Sequence, residues 1–95
     1  MGKYKLSNVA KEDLIRIHYY GVQQFGIKQA DKYFDSFFVH FELIAKNPLS
    51  LESVDFIKPG YRRCVCGVDS IFYKINGDEV EIMAIFGKQD LNQLL

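Results

Sequence analysis

Arg62, Arg63, Tyr73, Lys74 and Lys88 are the residues of this chain whose types could do chemistry together. Guanidinium and ammonium groups stabilise the charge that builds on a phosphorane, and a tyrosine hydroxyl can move a proton, so the set could cleave RNA. The same cations could instead hold an acidic peptide through bidentate arginine–carboxylate pairs. Spacing narrows what each can do. Arg62 and Arg63 open the apolar run Cys64-Val65-Cys66, which reads as a strand. Successive side chains on a strand point to opposite faces. One arginine therefore shares the face of Cys64 and Cys66, where it needs a partner or a ligand.

Other chemistry has little to stand on. Cys64 and Cys66 lie at i and i+2, so their side chains run parallel, which is poor geometry for a mutual disulfide. They could give two thiolate ligands, but a structural zinc site needs about four. His18 and His40 fall on separate helices and read as solvated or satisfied helix residues. No metal and no cofactor are expected. Asp13, Asp31 and Asp35 read as solvated helix positions, and Glu79 and Glu81 as surface charge. P-loop, G-x-S-x-G, G-x-G-x-x-G and H-E-x-x-H motifs do not occur.

The elements that must position these groups follow from periodicity. Tyr4-Lys5-Leu6 reads as a short strand. Ser7 is a good N-cap, and Ala10, Leu14, Ile17, Gly21 and Phe25 recur at helical spacing, giving a helix from about Asn8 to Phe25. Gly26 suits the helix end. A second helix follows from about Ile27 to Lys46, with Ala30, Tyr33 or Phe34, Phe37, Phe41, and Ile44 or Ala45 inward, and Asn47-Pro48 stops it. Strands are expected at about 61–68, 70–75 and 79–86, with Val68-Asp69-Ser70 and Asn76-Gly77 as the tight turns. Alternation in the last strand puts Val80, Ile82, Ala84 and Phe86 on one face. Both faces of that strand are partly apolar, so both should be covered, and the helices can cover only one. The order β-α-α-β-β-β predicts an α+β fold, an N-terminal helical hairpin packed on a small, mostly antiparallel sheet. The tail from Gly87 could add one or two helical turns.

Ninety-five residues suffice for a single domain, 1–95, that buries about 60–65% of its unfolded surface. Twelve Lys and Arg balance twelve Asp and Glu. A protein built to grip a phosphate backbone usually carries a basic excess, so no direct nucleic-acid partner is expected. No apolar run approaches the ~18 residues of a membrane span, and Met1 to Leu6 lacks a signal-peptide stretch. A soluble, cytoplasmic protein is the default.

The pieces Leu6-Ser7-x-x-Ala10-x-x-Asp13-Leu14-x-x-Ile17, Phe25-Gly26-x-x-Gln29-Ala30-x-x-Tyr33, Asn47-Pro48, Gly60-Tyr61-Arg62-Arg63 and Ile71-Phe72-Tyr73 run in order along nearly the whole chain. Together they resemble the ParE toxins of the RelE/ParE superfamily of bacterial toxin–antitoxin systems. The resemblance implies a helical hairpin on a small antiparallel sheet. It implies a toxin that binds and inhibits a type II topoisomerase, DNA gyrase, and is neutralised by a cognate antitoxin whose C-terminal segment wraps it. The RelE-like branch would instead cut mRNA on the ribosome, and a weakly toxic antitoxin-binding module is a further alternative. Where the family often shows Arg-Ile-Leu-His, this chain has Ala84-Ile85-Phe86-Gly87, and no tyrosine follows. The missing cation and tyrosine favour binding without chemistry, so no catalytic residue is assigned. Tyr19, Phe34, Arg62, Arg63, Tyr73 and Phe86 are the expected antitoxin contacts, with an added strand at a sheet edge. Lys88, Asp90 and Leu94 are the expected target contacts.

Overall fold

The structure is a computed structural model that describes residues 2–87. The expected tail helix, and with it Lys88, Asp90 and Leu94, lies outside the described residues. The chain runs β1 (Tyr4–Leu6), α1 (Asn8–Phe25), α2 (Ile27–Lys46), a 3-10 turn (Pro48–Ser50), β2 (Glu52–Ser53), β3 (Tyr61–Cys66), β4 (Asp69–Asn76) and β5 (Glu79–Gly87). The five strands form one sheet in the order β1-β5-β4-β3-β2. β1 is parallel to β5 and every other pairing is antiparallel. The expected α+β architecture stands, with β2 as an unforeseen two-residue edge.

Local chemistry sets the helices. The Ser7 hydroxyl accepts from the Ala10 amide at 3.0 Å, satisfying one of the free donors of the first turn. Gly26 sits at φ 90°, a conformation a side chain would resist, and joins the two helices as a hairpin. Gly21 lets them close, since a Cβ there would lie 3.2 Å from the Ala30 Cβ. The inward stripes Ala10, Leu14, Ile17 and Phe37, Phe41, Ile44 meet Cys64, Cys66, Ile71, Tyr73, Val80 and Ile82 in the main core.

The second sheet face has its own cover. Val54, fully buried, packs with Ile57 and Tyr61 on Phe72, Ala84 and Phe86, and the Phe72 and Phe86 rings stack at 4.8 Å. The connection between the 3-10 turn and β3 thus answers which element covers the face that the helices leave.

Three sequence expectations are corrected. Cys66 pairs with Asp69 and Asn76 with Glu79, so the hairpin turns are Gly67-Val68 and Gly77-Asp78. In each, only the first central residue has positive φ, at 61° and 68°, and glycine supplies it. The single-face alternation of β5 also fails. Phe72 pairs with Ala84 but Tyr73 pairs with Ile82, which makes Met83 the extra residue of a β-bulge. Val80 and Ile82 therefore face the helices, whereas Ala84 and Phe86 face the outer cover. Phe25, expected inward, is exposed.

Candidate functional site

The paired arginines occupy opposite faces, as strand geometry requires. Arg62 shares the helix-side face with Cys64, Cys66 and its cross-strand partner Tyr73. It does not await a ligand there: its guanidinium donates to the Leu51 carbonyl at 2.6 Å. Beside it the Tyr73 hydroxyl donates to the Pro48 carbonyl, also at 2.6 Å. Tyr73 has no exposed surface. Burial pushes its phenol up to about 12, with Cys64 adding to the rise and Arg62 opposing it. On the outer face Arg63 forks onto its cross-strand neighbour Glu52, with contacts of 2.8 and 3.4 Å. The Val54 amide donates to the Tyr61 carbonyl at 2.9 Å.

All of these bonds fasten one segment. Residues 48–60 leave α2 on the helix side, cross the β3 edge and return over the outer face. Arg62 and Tyr73 hold the start of this strap, Arg63 holds its crossing, and Val54 and Ile57 seat its end. Of the side chains whose types suggested phosphoryl chemistry, Arg62, Arg63 and Tyr73 are thus committed to backbone carbonyls and a carboxylate of their own chain.

A different surface is open. Ile15, His18, Tyr19 and Val22 of α1 and Asp31, Phe34 and Asp35 of α2 line a groove along the hairpin, on the side away from the sheet. Ile15 and Tyr19 are 69% and 67% exposed. His18 Nε2 lies 2.8 Å from Asp31 Oδ1, and its ring meets the Phe34 ring edge-on at 5.3 Å. Burying such a stripe on a partner is favoured by the area removed from water.

The sheet edges differ in the same sense. Beyond β1, the outer edge of β5 is satisfied by α1: Ser7 donates to the Met83 carbonyl, Asp13 accepts from the Ile85 amide, and Arg16 donates to the Ile85 carbonyl, each at 2.9 Å. Asp13 is therefore no simple solvated position. At the other edge β2 pairs only with Arg62 and Arg63, so Cys64 to Cys66 have no strand partner there among the described residues.

Both cysteines are buried and unbridged, and burial raises both thiols. Such thiols are poor nucleophiles at neutral pH. Among the described residues no group of three or more His, Cys, Asp or Glu side chains could hold a metal ion, and no helix is long and apolar enough to cross a membrane.

A family model for the ParE toxin of type II toxin–antitoxin systems, parDE, matches residues 4–91. The chain belongs to the ParE toxin family. Similar curated proteins include Toxin ParE1 of Caulobacter vibrioides, 36% identical over 90% of this chain and 88% of that protein. Toxin ParE1 of Mycobacterium tuberculosis strain H37Rv is 30% identical over 80% of this chain and 78% of its own length. In a solved chromosomal ParDE TA system from P. aeruginosa, one chain shares the fold at a TM-score of 0.81 and 20% identity, over 92% of this chain and 96% of that one.

In this ParE-family chain the six expected antitoxin contacts do not form one surface. Tyr19 and Phe34 share the hairpin groove. Arg62, Arg63 and Tyr73 gather under the strap instead. Phe86, 2% exposed, lies in the outer core. Tyr73 and Phe86, expected as contacts, are both buried, in the main core and the outer core respectively. Ile15, Val22 and Asp35 line the same groove as Tyr19 and Phe34 and were not among the expected contacts. Their signal was present in α1: Ile15, Tyr19 and Val22 follow i, i+4, i+7 and make a second apolar stripe beside the core stripe.

Proposed function

We propose that this ParE-family toxin acts by binding a type II topoisomerase, DNA gyrase, without chemistry of its own. A cognate antitoxin neutralises it, its C-terminal segment wrapping the toxin through the hairpin groove and the Cys64–Cys66 edge. One observation carries the non-catalytic part. The Tyr73 hydroxyl and the Arg62 guanidinium, the pieces a nuclease would need, hold Pro48 and Leu51 carbonyls. Ala84, standing where a further cation would complete such a set, is buried against the outer core. The gyrase part is supported by membership of the family and by the neutral overall charge.

Supercoiling by purified gyrase, measured with and without the protein, is the direct test. Inhibition at near-stoichiometric protein is expected, and full supercoiling at a large excess would remove the proposal. Mapping mRNA 5′ ends on ribosomes should show no new cuts. Site-specific cuts lost on Arg62→Ala would establish cleavage instead. Truncation after Gly87 tests Lys88, Asp90 and Leu94 as target contacts: inhibition should fall while antitoxin binding holds.

A further inference from the structure

The core stripe of α1 does not stop where the core stops. Ile17 is buried, but Gly21 and Phe25, the next positions at the same spacing, continue it toward the Gly67-Val68 turn and Gly87, and Phe25 is 68% exposed. Together with Ala30 and Tyr33, from the inner stripe of α2, they line a cleft of about 640 Å³. That volume falls within the roughly 300–1,000 Å³ of clefts that enclose an organic ligand, so there is room for several side chains. Tyr20 and Val68 add further exposed apolar surface to its walls. The floor is fixed, because the Tyr33 hydroxyl donates to the Cys66 carbonyl at 2.9 Å and to Asp69 at 2.8 Å. No described residue lines both this cleft and the hairpin groove. Two helices thus present core-type residues here without a described element to cover them.

The chain itself leads into this cleft. Gly87 lines it, and so does its cross-strand partner Asp69. The sequence continues from Gly87 as Lys88-Gln89-Asp90-Leu91-Asn92-Gln93-Leu94-Leu95. Consecutive Cα atoms stand about 3.8 Å apart, so this segment starts at the cleft with no linker to span. Leu91, Leu94 and Leu95 recur at i, i+3 and i+4, one apolar face at helical spacing. Two turns of helix measure about 11 Å, which keeps that face beside its point of entry. An occupant tethered in this way avoids the loss of translational and rotational freedom that a free partner suffers. We infer that the cleft is the seat of the chain's own residues 88–95, with Leu91 and Leu95 covering Tyr20 and Phe25. At about 100° per residue, Asp90 and Leu94 then fall to one side of the seated face, open to a target. The inference rests on the reading of those two as target contacts, and it adds what holds them in place.

Methyl–aromatic NOEs in the full, isotope-labelled chain give the direct test. Contacts from the Leu91 and Leu95 methyls to the Tyr20 and Phe25 rings are expected within one molecule. Random-coil shifts over 88–95 without such contacts would overturn the inference. Contacts found only between differently labelled copies would make the occupant a second chain, which overturns it as well. The double variant Tyr20→Lys/Val68→Lys changes only exposed positions, so the fold should hold while the NOEs disappear. Its inhibition of gyrase should weaken about tenfold, because apparent affinity falls with the fraction of molecules in the competent setting. Leu94→Ala should weaken inhibition with the NOEs intact. If the NOEs are present but truncation after Gly87 leaves inhibition unchanged, the seat stands and the target-contact reading fails. If the double variant loses the NOEs and inhibits as wild type does while truncation abolishes inhibition, the orienting role of the seat is overturned. If the wild type lacks the NOEs and the double variant loses antitoxin affinity, the cleft belongs to the antitoxin and the inference fails.

Discussion

Tyr73→Phe separates a catalytic tyrosine from a structural one. The substitution removes one oxygen from a side chain with no exposed surface and keeps the ring in the main core. What is lost is the 2.6 Å bond to the Pro48 carbonyl, and that carbonyl then lacks its donor at the start of the strap. An acceptor left unpaired in a buried place costs about 1–3 kcal/mol. A domain of this size holds roughly 5–14 kcal/mol in total, so the variant stays folded at 25 °C. Each kcal/mol moves the midpoint by about 4–8 °C, which predicts a fall of roughly 5–20 °C. Urea and thermal denaturation measure this, and gyrase inhibition with antitoxin affinity, both at 25 °C, should stay within about twofold of wild type. The pH response gives a second check. The folded phenol is raised to about 12 from an ordinary value near 10. Its contribution is therefore complete below pH 10, where both states are protonated, and is lost as pH rises through 12, because the unfolded chain ionises first. The variant should show a flatter alkaline decline in that window. Tyr33, whose phenol is raised by burial and by Asp69, supplies part of the remainder. Unchanged stability together with lost toxicity would refute the reasoning and return Tyr73 to chemistry.

The two hairpin glycines offer a matched pair. Ala at either must adopt positive φ, at about 1–2 kcal/mol. At Gly77 the added Cβ meets nothing within 4 Å, but at Gly67 it comes 2.5 Å from Tyr33 Cε1. Displacing that ring loses its hydroxyl bonds to the Cys66 carbonyl and Asp69. In urea, Gly67→Ala should be less stable than Gly77→Ala by about 1–3 kcal/mol, and equal losses would mean that the ring is not pinned. Asp13→Ala should cost about 1–2 kcal/mol and speed hydrogen exchange at the Ile85 amide. Unaltered exchange there would show that α1 does not seal the β5 edge. The paired arginines should differ in kind. Arg62→Ala should cost about 1.5–3 kcal/mol, since it abandons the half-buried Leu51 carbonyl. Arg63→Ala should cost about 1 kcal/mol or less, because Glu52 is 51% exposed. Equal costs measured by urea denaturation would contradict the strap.

Periodicity located β1, both helices and their joint to the residue, because Ser7, Gly26 and Asn47-Pro48 are strong local signals whose physics needs no tertiary context. The turns slipped because Asn76-Gly77 satisfies a type I′ pattern on paper. The fold instead places Gly77 first, where one positive φ is enough and no asparagine need adopt it. The bulge left no trace. Met83 continues an apolar run, and a bulge is decided by which residues the neighbouring strand and the strap can receive, not by residue type. Side chains that bond backbone atoms far along the chain were equally invisible, since Asp13 and Ile85 are 72 residues apart. The second apolar stripe of α1 was readable, but Ile15 and Val22 were overlooked beside the stronger core stripe.

The strap accounts for an otherwise odd choice of residues at the sheet edge. A sheet with two apolar faces needs two covers. Here the second cover arrives from the same side as the first and must cross the edge at β3. A backbone crossing an edge turns carbonyls toward the sheet where water reaches them poorly, and each needs a donor. Short side chains on β3 and β4 cannot span that gap. Arginine and tyrosine can, and they also pack their apolar stems against the core. The doublet Arg62-Arg63 then follows from strand geometry: one cation is needed on the helix face for Leu51 and one on the outer face for Glu52, and adjacent positions supply both. For these groups to act on RNA, the strap would have to release them. That would strip the Pro48 and Leu51 carbonyls of their donors and pull Val54 from the outer core. Cleavage by Arg62 and Tyr73 would thus require partial unfolding of the sheet's own cover, whereas binding through the hairpin groove requires no rearrangement of the core.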